Sequence, residues 1–349
     1  MLQRLKSTFH PFLPGNLRRT LAAMKHRDSV HTHVFSTNPA VVYLTRETYS
    51  AVIHDEMTNC RLTLLYLFAN WLTPKRIVTI SQQVRKKLKR HPKHRVVMLC
   101  NELFTVDLFR AQGVEAIFCS HNCFVNENFF TIDENAVKKY DAIYNAAMAP
   151  YKRHRLASKI KSLALITYRY GGTHASDYEK EVQSALAHAT WLVDARKDSQ
   201  KASATDVARH YNQTRVGLCL SRAEGAMFAS IEYLLCGLPV VTTRSLGGRD
   251  VFFDPEYVET VEDNPEAVHQ GVLNLLARAP SAGFIRARTL QKMEEHRRRL
   301  RELLKDDVPQ LEIPWPPGTH GPMTFRNLRL LGRTLHLASR RGGSAPEQR

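Results

Sequence analysis

Short apolar runs alternate with amphipathic stretches along most of this chain, the rhythm of strands and helices in a mostly parallel α/β protein. In the first third, 30–35 and 40–45 read as strands, 62–72 as a core helix ended near Pro74, and 76–80 as another strand. The segment 82–90 has helical character and is stopped by Pro92. Residues 95–100 (RVVMLC) read as a buried strand and 103–111 as a helix ending at Gly113. A strand over 115–119 then leads into Ser120-His121-Asn122.

The alternation resumes with a strand at 140–144, a helix to about Lys161 and a strand over 163–168 ahead of Gly171-Gly172. A helix over 178–189, an extended piece at 191–193 and a helix over 206–213 follow. The segment 215–254 organises the rest. Strand 216–220 runs into the polar bend Ser221-Arg222-Ala223-Glu224-Gly225, and a mostly apolar helix spans 226–236, which places Glu232 about two turns in. Gly237 sits where a helix end needs positive φ, Pro239 forbids continuation, and 240–243 supplies a second buried strand. Such a strand–helix–strand unit puts its two strands parallel in one sheet. Pro265 marks the start of a helix to about Ala279, and 286–305 is a long basic helix. Four prolines make 311–322 an extended connection, 324–337 reads as a last helix, and 340–349 as a disordered tail.

Composition narrows the class. The 349 residues, 43% hydrophobic and 24% charged, suffice for two globular domains. No run approaches the ~18 apolar residues of a membrane span. The first residues lack the apolar core of a signal peptide, and six cysteines without repeated Cys-x-x-Cys spacing fit reduced thiols. The expected location is cytoplasmic, peripheral to a membrane where the basic surface meets one. Charge is uneven: 1–130 holds 18 Lys/Arg against 8 Asp/Glu, 131–285 holds 18 against 18, and 286–349 holds 14 against 7. The expected parts are a domain over 1–133, short for a Rossmann-like unit, a second over 134–285, and basic helices with a tail over 286–349.

Glu224 and Glu232, with Gly225, the ending Gly237-Leu238-Pro239-Val240-Val241 and Gly247-Gly248, resemble the Glu-x7-Glu signature of the family 4 (group 1) retaining glycosyltransferases. The close match covers 215–254, and a looser one reaches Leu276. The resemblance implies the GT-B fold of two facing Rossmann-like domains, and transfer of a sugar from a nucleotide-diphosphate sugar with retention. It implies that Glu232 holds the two ribose hydroxyls and that Glu224 contacts the donor sugar near the reacting carbon. The N–H groups of Gly225, Ala226, Met227 and Phe228 would face the sugar or the diphosphate. Lys152 matches the family's lysine for the leaving diphosphate, but the companion arginine falls on Ala146. Arg153, Arg222 or Arg249 would have to supply that charge.

Of the first-domain histidines His31, His33, His54 and His121, the last follows a strand end and is the favoured catalytic candidate. No Asp-x-Asp triplet occurs, and neither a metal nor a cofactor is expected. Cys119, His121 and Cys123 would share one face of an extended segment, yet no fourth zinc ligand is evident. Nine Lys/Arg and no acid lie between Lys75 and Arg95. That field suits anionic lipid headgroups or a phosphorylated, lipid-linked glycan acceptor, and no motif beside it points to nucleic acid. Three readings stay open: the transferase, a GT-B epimerase or phosphorylase, and a degenerate non-catalytic glycan- or anion-binding protein.

Overall fold

The structure, a computed structural model, describes residues 30–37, 39–44, 54, 61–68, 70–169, 177–194, 202–311, 313 and 322–323. The expectations for 1–29, Gly171-Gly172, 324–337, 340–349 and most of 311–322 fall outside them. The described strands form two six-stranded sheets. The first takes β1 (Val30–Thr37), β2 (Ala40–Leu44), β3 (Leu62–Leu67), β4 (His94–Cys100) and β5 (Glu115–Phe118) in chain order. β2 to β5 are parallel, and β1 is antiparallel to β2. The second holds β6 (Tyr140–Ala147), β7 (Leu163–Tyr168), β8 (Thr190–Val193), β9 (Thr214–Cys219), β10 (Val240–Thr243) and β11 (Val258–Val261). All are parallel, in the order β11-β10-β9-β6-β7-β8. A last strand, β12 (Pro322–Met323), pairs antiparallel with β1.

The second sheet grows outward from β6 through β7 and β8, then returns to grow from β9 the other way. The chain therefore leaves the adjacent carboxyl ends of β6 and β9 in opposite directions, which opens a crevice between the two loops.

Two expectations for the first sheet are corrected. Residues 62–72 are not a helix: Leu62–Leu67 is β3, with all six side chains buried. Leu62, Leu64 and Tyr66 face one core cluster, while Leu65 and Leu67 face another. A strand covered on both faces shows no period of two, so its apolar run cannot be told from a helix. Residues 76–80 are not a strand but belong to α1 (Pro74–Arg90). Thr73 caps it, its hydroxyl accepting from the Arg76 N–H at 3.3 Å, with Pro74 in the first turn. Ile77, Ile80, Val84 and Leu88 form one stripe against the sheet.

The other helices are α2 (Leu103–Ala111), α3 (Asp177–Ala185), α4 (Ala204–Asn212), α5 (Phe228–Leu235), α6 (Pro265–Arg278) and α7 (Ala282–Leu304). The helix expected to reach Lys161 is two short 3-10 turns, Pro150–Lys152 and His154–Ala157, hinged at Arg153 with φ 56°. Helix α5 starts two residues later than the sequence suggested and ends with Gly237 at φ +74°. Helix α7 crosses back to the first sheet's exit. Its His296 accepts from the Ser120 N–H at 3.2 Å, and Arg297 donates to the Cys123 carbonyl at 2.8 Å and to both Glu127 oxygens. Leu65, Val97, Phe124, Ile143, Tyr233, Met293 and Leu300 belong to one continuous core, so the two sheets share apolar packing.

Candidate functional site at the switch point

The loops after β6 and β9 meet across the crevice. The 3-10 turn after β6 ends on Lys152, which is 3% exposed. A buried ammonium needs a partner. The Glu224 carboxylate, on the loop after β9, accepts from it. The Tyr144 hydroxyl donates to the Lys152 carbonyl at 2.5 Å and fixes the turn from below.

Glu224 is held just as firmly by its backbone. Its N–H donates to the Leu246 carbonyl (2.9 Å), the Leu246 N–H to the Arg222 carbonyl (3.0 Å), and the Gly248 N–H to the Gly225 carbonyl (3.1 Å). The glycine pair makes this lacing possible. Gly247 has φ +96°, and a Cβ there would lie 1.9 Å from the Glu224 carbonyl oxygen. A Cβ on Gly248 would lie 2.2 Å from the Asn101 carbonyl oxygen, where the first sheet's loop abuts the second.

The three candidate arginines separate cleanly. Arg249 is fully buried, and its guanidinium donates to Cys219 O (3.0 Å), Ser221 O (2.9 Å), Thr242 Oγ1 (2.7 Å), Thr243 O (2.5 Å) and Asp250 Oδ1 (2.6 Å). It ties the ends of β9 and β10 together and has no donor to spare for a diphosphate, which removes it as the replacement charge. Arg153 is committed too, to Leu220 O (2.6 Å), Thr243 Oγ1 (2.6 Å) and Asp263 Oδ2 (2.5 Å). Arg222 has an exposed side chain beside Glu224 in the bend, and its N–H donates to Tyr151 O at 3.0 Å. Ala146, where the resembling family has arginine, is an interior residue of β6 paired with Thr167.

Gly225, Ala226 and Met227 are buried and precede α5, so only Phe228, 44% exposed, opens the helix. Glu232 therefore stands about one turn into α5 rather than two. It is half-buried, and its Oε2 accepts from the Tyr211 hydroxyl at 2.8 Å. Burial pushes its carboxyl up to about 7, against the opposing pull of that hydrogen bond. His154, beneath the loop, is held down to about 4 by burial and by the neighbouring Lys152 charge.

The first sheet contributes from its own carboxyl ends. His121 N–H donates to Asn101 Oδ1 at 2.8 Å, and its ring packs edge-on to Phe228 with centroids 4.5 Å apart. Asn122 Nδ2 donates to Met227 O (3.2 Å) and Ser230 Oγ (3.3 Å), pinning the start of α5. Trp71, Asn101, Glu102 and Thr105 line a small cleft against Gly225. His54 lies elsewhere: it bonds His94 at 2.7 Å, at the amino end of β4. The side chains of His31 and His33 fall outside the described residues. The zinc alternative fails geometrically. Residues 121–124 form a 3-10 turn, so Cys119 and Cys123 approach within 3.9 Å in the core while His121 turns to Phe228. Among the described residues, no three His, Cys, Asp or Glu side chains gather as metal ligands.

Sequence reasoning missed Tyr211, Asn145, Asn122 and Trp71. The one available signal was Asn145, a polar residue inside the apolar strand of 140–147.

The family model "Glycosyl transferases group 1" matches residues 156–278, which include Glu224 and Glu232. Residues 156–278 carry a group 1 glycosyltransferase domain. Solved structures extend the likeness to both sheets. Sucrose-phosphate synthase from Thermosynechococcus elongatus aligns with TM-score 0.57 at 16% identity, over 76% of this chain and 73% of that one. Anabaena Alr3699/HepE, solved in complex with UDP-glucose, aligns with TM-score 0.57 at 14% identity, over 88% and 84%. A glycosyltransferase from Rickettsia africae aligns with TM-score 0.52 at 16% identity, over 78% and 77%. At these identities the likeness is one of fold, and that fold is GT-B. No curated protein matches the chain by sequence.

Proposed function

We propose that this glycosyltransferase moves a sugar from a nucleotide-diphosphate sugar to a glycan or lipid-linked acceptor, with retention and without a metal. One observation carries the reading: a buried lysine–glutamate pair spans the two loops that leave the switch point of the second sheet. Departure of the diphosphate develops negative charge, and a fixed ammonium at that place stabilises it without reorganisation. Lys152 fills that role when the diphosphate draws it from Glu224, and exposed Arg222 adds a second cation. Freed Glu224 accepts hydroxyls of the donor sugar, and Glu232 accepts those of the ribose. His121, at the Phe228 rim, faces the acceptor side.

Metal independence is supported by this cationic site and by the absence of an Asp-x-Asp triplet from the sequence. A neighbour of the same fold solved with UDP-glucose supports a nucleotide-sugar donor. The acceptor reading rests on α1, which has no acidic residue in its first turn and exposes Lys75, Arg76, Arg85, Lys86, Lys89 and Arg90. That face would draw an anionic acceptor or a peripheral contact with anionic lipid. No helix of the described residues is long and apolar enough to cross a membrane. Product analysis with a panel of nucleotide sugars tests the whole: a new glycosidic bond with the donor's anomeric configuration supports the reading, and inversion, or epimerised sugar without an acceptor, defeats it.

A further inference from the structure

We propose that Asn145 and Tyr211 form an orienting chain that aims Glu232: Asn145 donates to the Tyr211 hydroxyl oxygen, which commits the single tyrosine proton to Glu232 Oε2 and leaves Oε1 for a hydroxyl of the nucleotide. The inference rests on the proposed role of Glu232 toward the ribose. Asn145 Nδ2 lies 2.6 Å from the Tyr211 hydroxyl, which lies 2.8 Å from Glu232 Oε2. A phenol has one proton, so a hydroxyl that already accepts from an amide must donate elsewhere. The tyrosine ring is not free to turn. Tyr211 is fully buried, stacked on Phe130 (centroids 6.3 Å) and edge-on to Tyr233 (4.7 Å). The backbone N–H of Asn145 donates to the Tyr233 hydroxyl at 2.7 Å.

The titratable groups near Glu232 are Tyr211 on α4, Tyr233 on its own helix and Cys236 just beyond it. Among the described residues, the tyrosine proton is the interaction that favours the ionised form of Glu232 against burial. Tyr211 is thus a positioning residue, acting through Glu232.

The test compares wild type with Tyr211→Phe in the full chain, measuring calorimetric affinity for uridine, guanosine and adenosine diphosphates between pH 6 and 9. For the diphosphate that wild type binds, the variant should lose about tenfold in affinity near pH 7, the loss shrinking toward pH 9. An equal loss at every pH would mean mere packing and overturn the proposal. Glu232→Gln should weaken binding and remove the pH dependence that Glu232 contributes, leaving that of the diphosphate itself. If it binds like wild type, or if wild type binds none of the three, the ribose-holding reading itself falls. A readout that needs no ligand is the carboxyl 13C titration of Glu232. Its midpoint should rise in Tyr211→Phe, and an unmoved midpoint would refute the chain.

Discussion

The two sheets solve different problems with different means. The second reverses its strand order between β6 and β9 and lines the resulting crevice largely with side chains held by fixed partners: Lys152 on Glu224, Arg249 on four acceptors of β9, β10 and the bend, Arg153 across to Asp263. The first sheet advances in one direction from β1 to β5 and carries its surplus charge on the exposed face of α1. A site that must stabilise charge in a transition state needs preorganised groups, whereas a surface that gathers an anionic partner needs only net field. Under the proposed function, the neutral half is the donor side and the basic half the acceptor side.

The largest expected effect strikes the fixed side. Arg249→Met leaves buried carbonyl and hydroxyl acceptors unpaired and should cost about 3–5 kcal/mol of stability by denaturant unfolding. A loss under ~1 kcal/mol would show that the network is incidental. Next comes chemistry: Lys152→Ala should lower kcat about 100- to 1,000-fold while the protein stays folded, as steady-state turnover would reveal. Acid should weaken both halves together. His54, His154 and His296 are held neutral, at about 3, 4 and 4, first of all by burial. The unfolded chain takes up these protons near 6.5 and the folded one only far below. The contribution of these three histidines should be full above pH 6.5 and decline as pH falls toward 4, outweighing the opposite contribution of the single raised carboxyl of Glu232, and a melting temperature that stays flat over that window would refute the burial argument.

Most of this was legible in the sequence. Bend, helix, Gly237 and second strand of 215–254 are local chemistry, and local chemistry is what a sequence states directly. β3 was not legible, because Leu62–Leu67 is covered on both faces and shows no period. Nor was the fate of Arg249: whether an arginine serves a ligand or sews strand ends together depends on Cys219 and Thr242, brought beside it only by the parallel register of β9 and β10. Tyr211 was hidden for the same reason, lying 21 residues before the carboxylate it contacts.

The smallest effect belongs to the free side. Reversing charge at Lys86, Lys89 and Arg90 should change stability by under ~0.5 kcal/mol per site. It should leave nucleotide affinity intact yet abolish salt-dependent flotation with anionic vesicles; flotation that survives the reversal would place the contact elsewhere.

The central claim is that the crevice of the second sheet holds the donor, and calorimetric titration of nucleotide-diphosphate sugars into wild type and Glu232→Ala tests it most directly. The expected result is binding of one nucleotide class by wild type, weakened about tenfold or more in the variant. Equal affinity in the two proteins would contradict it.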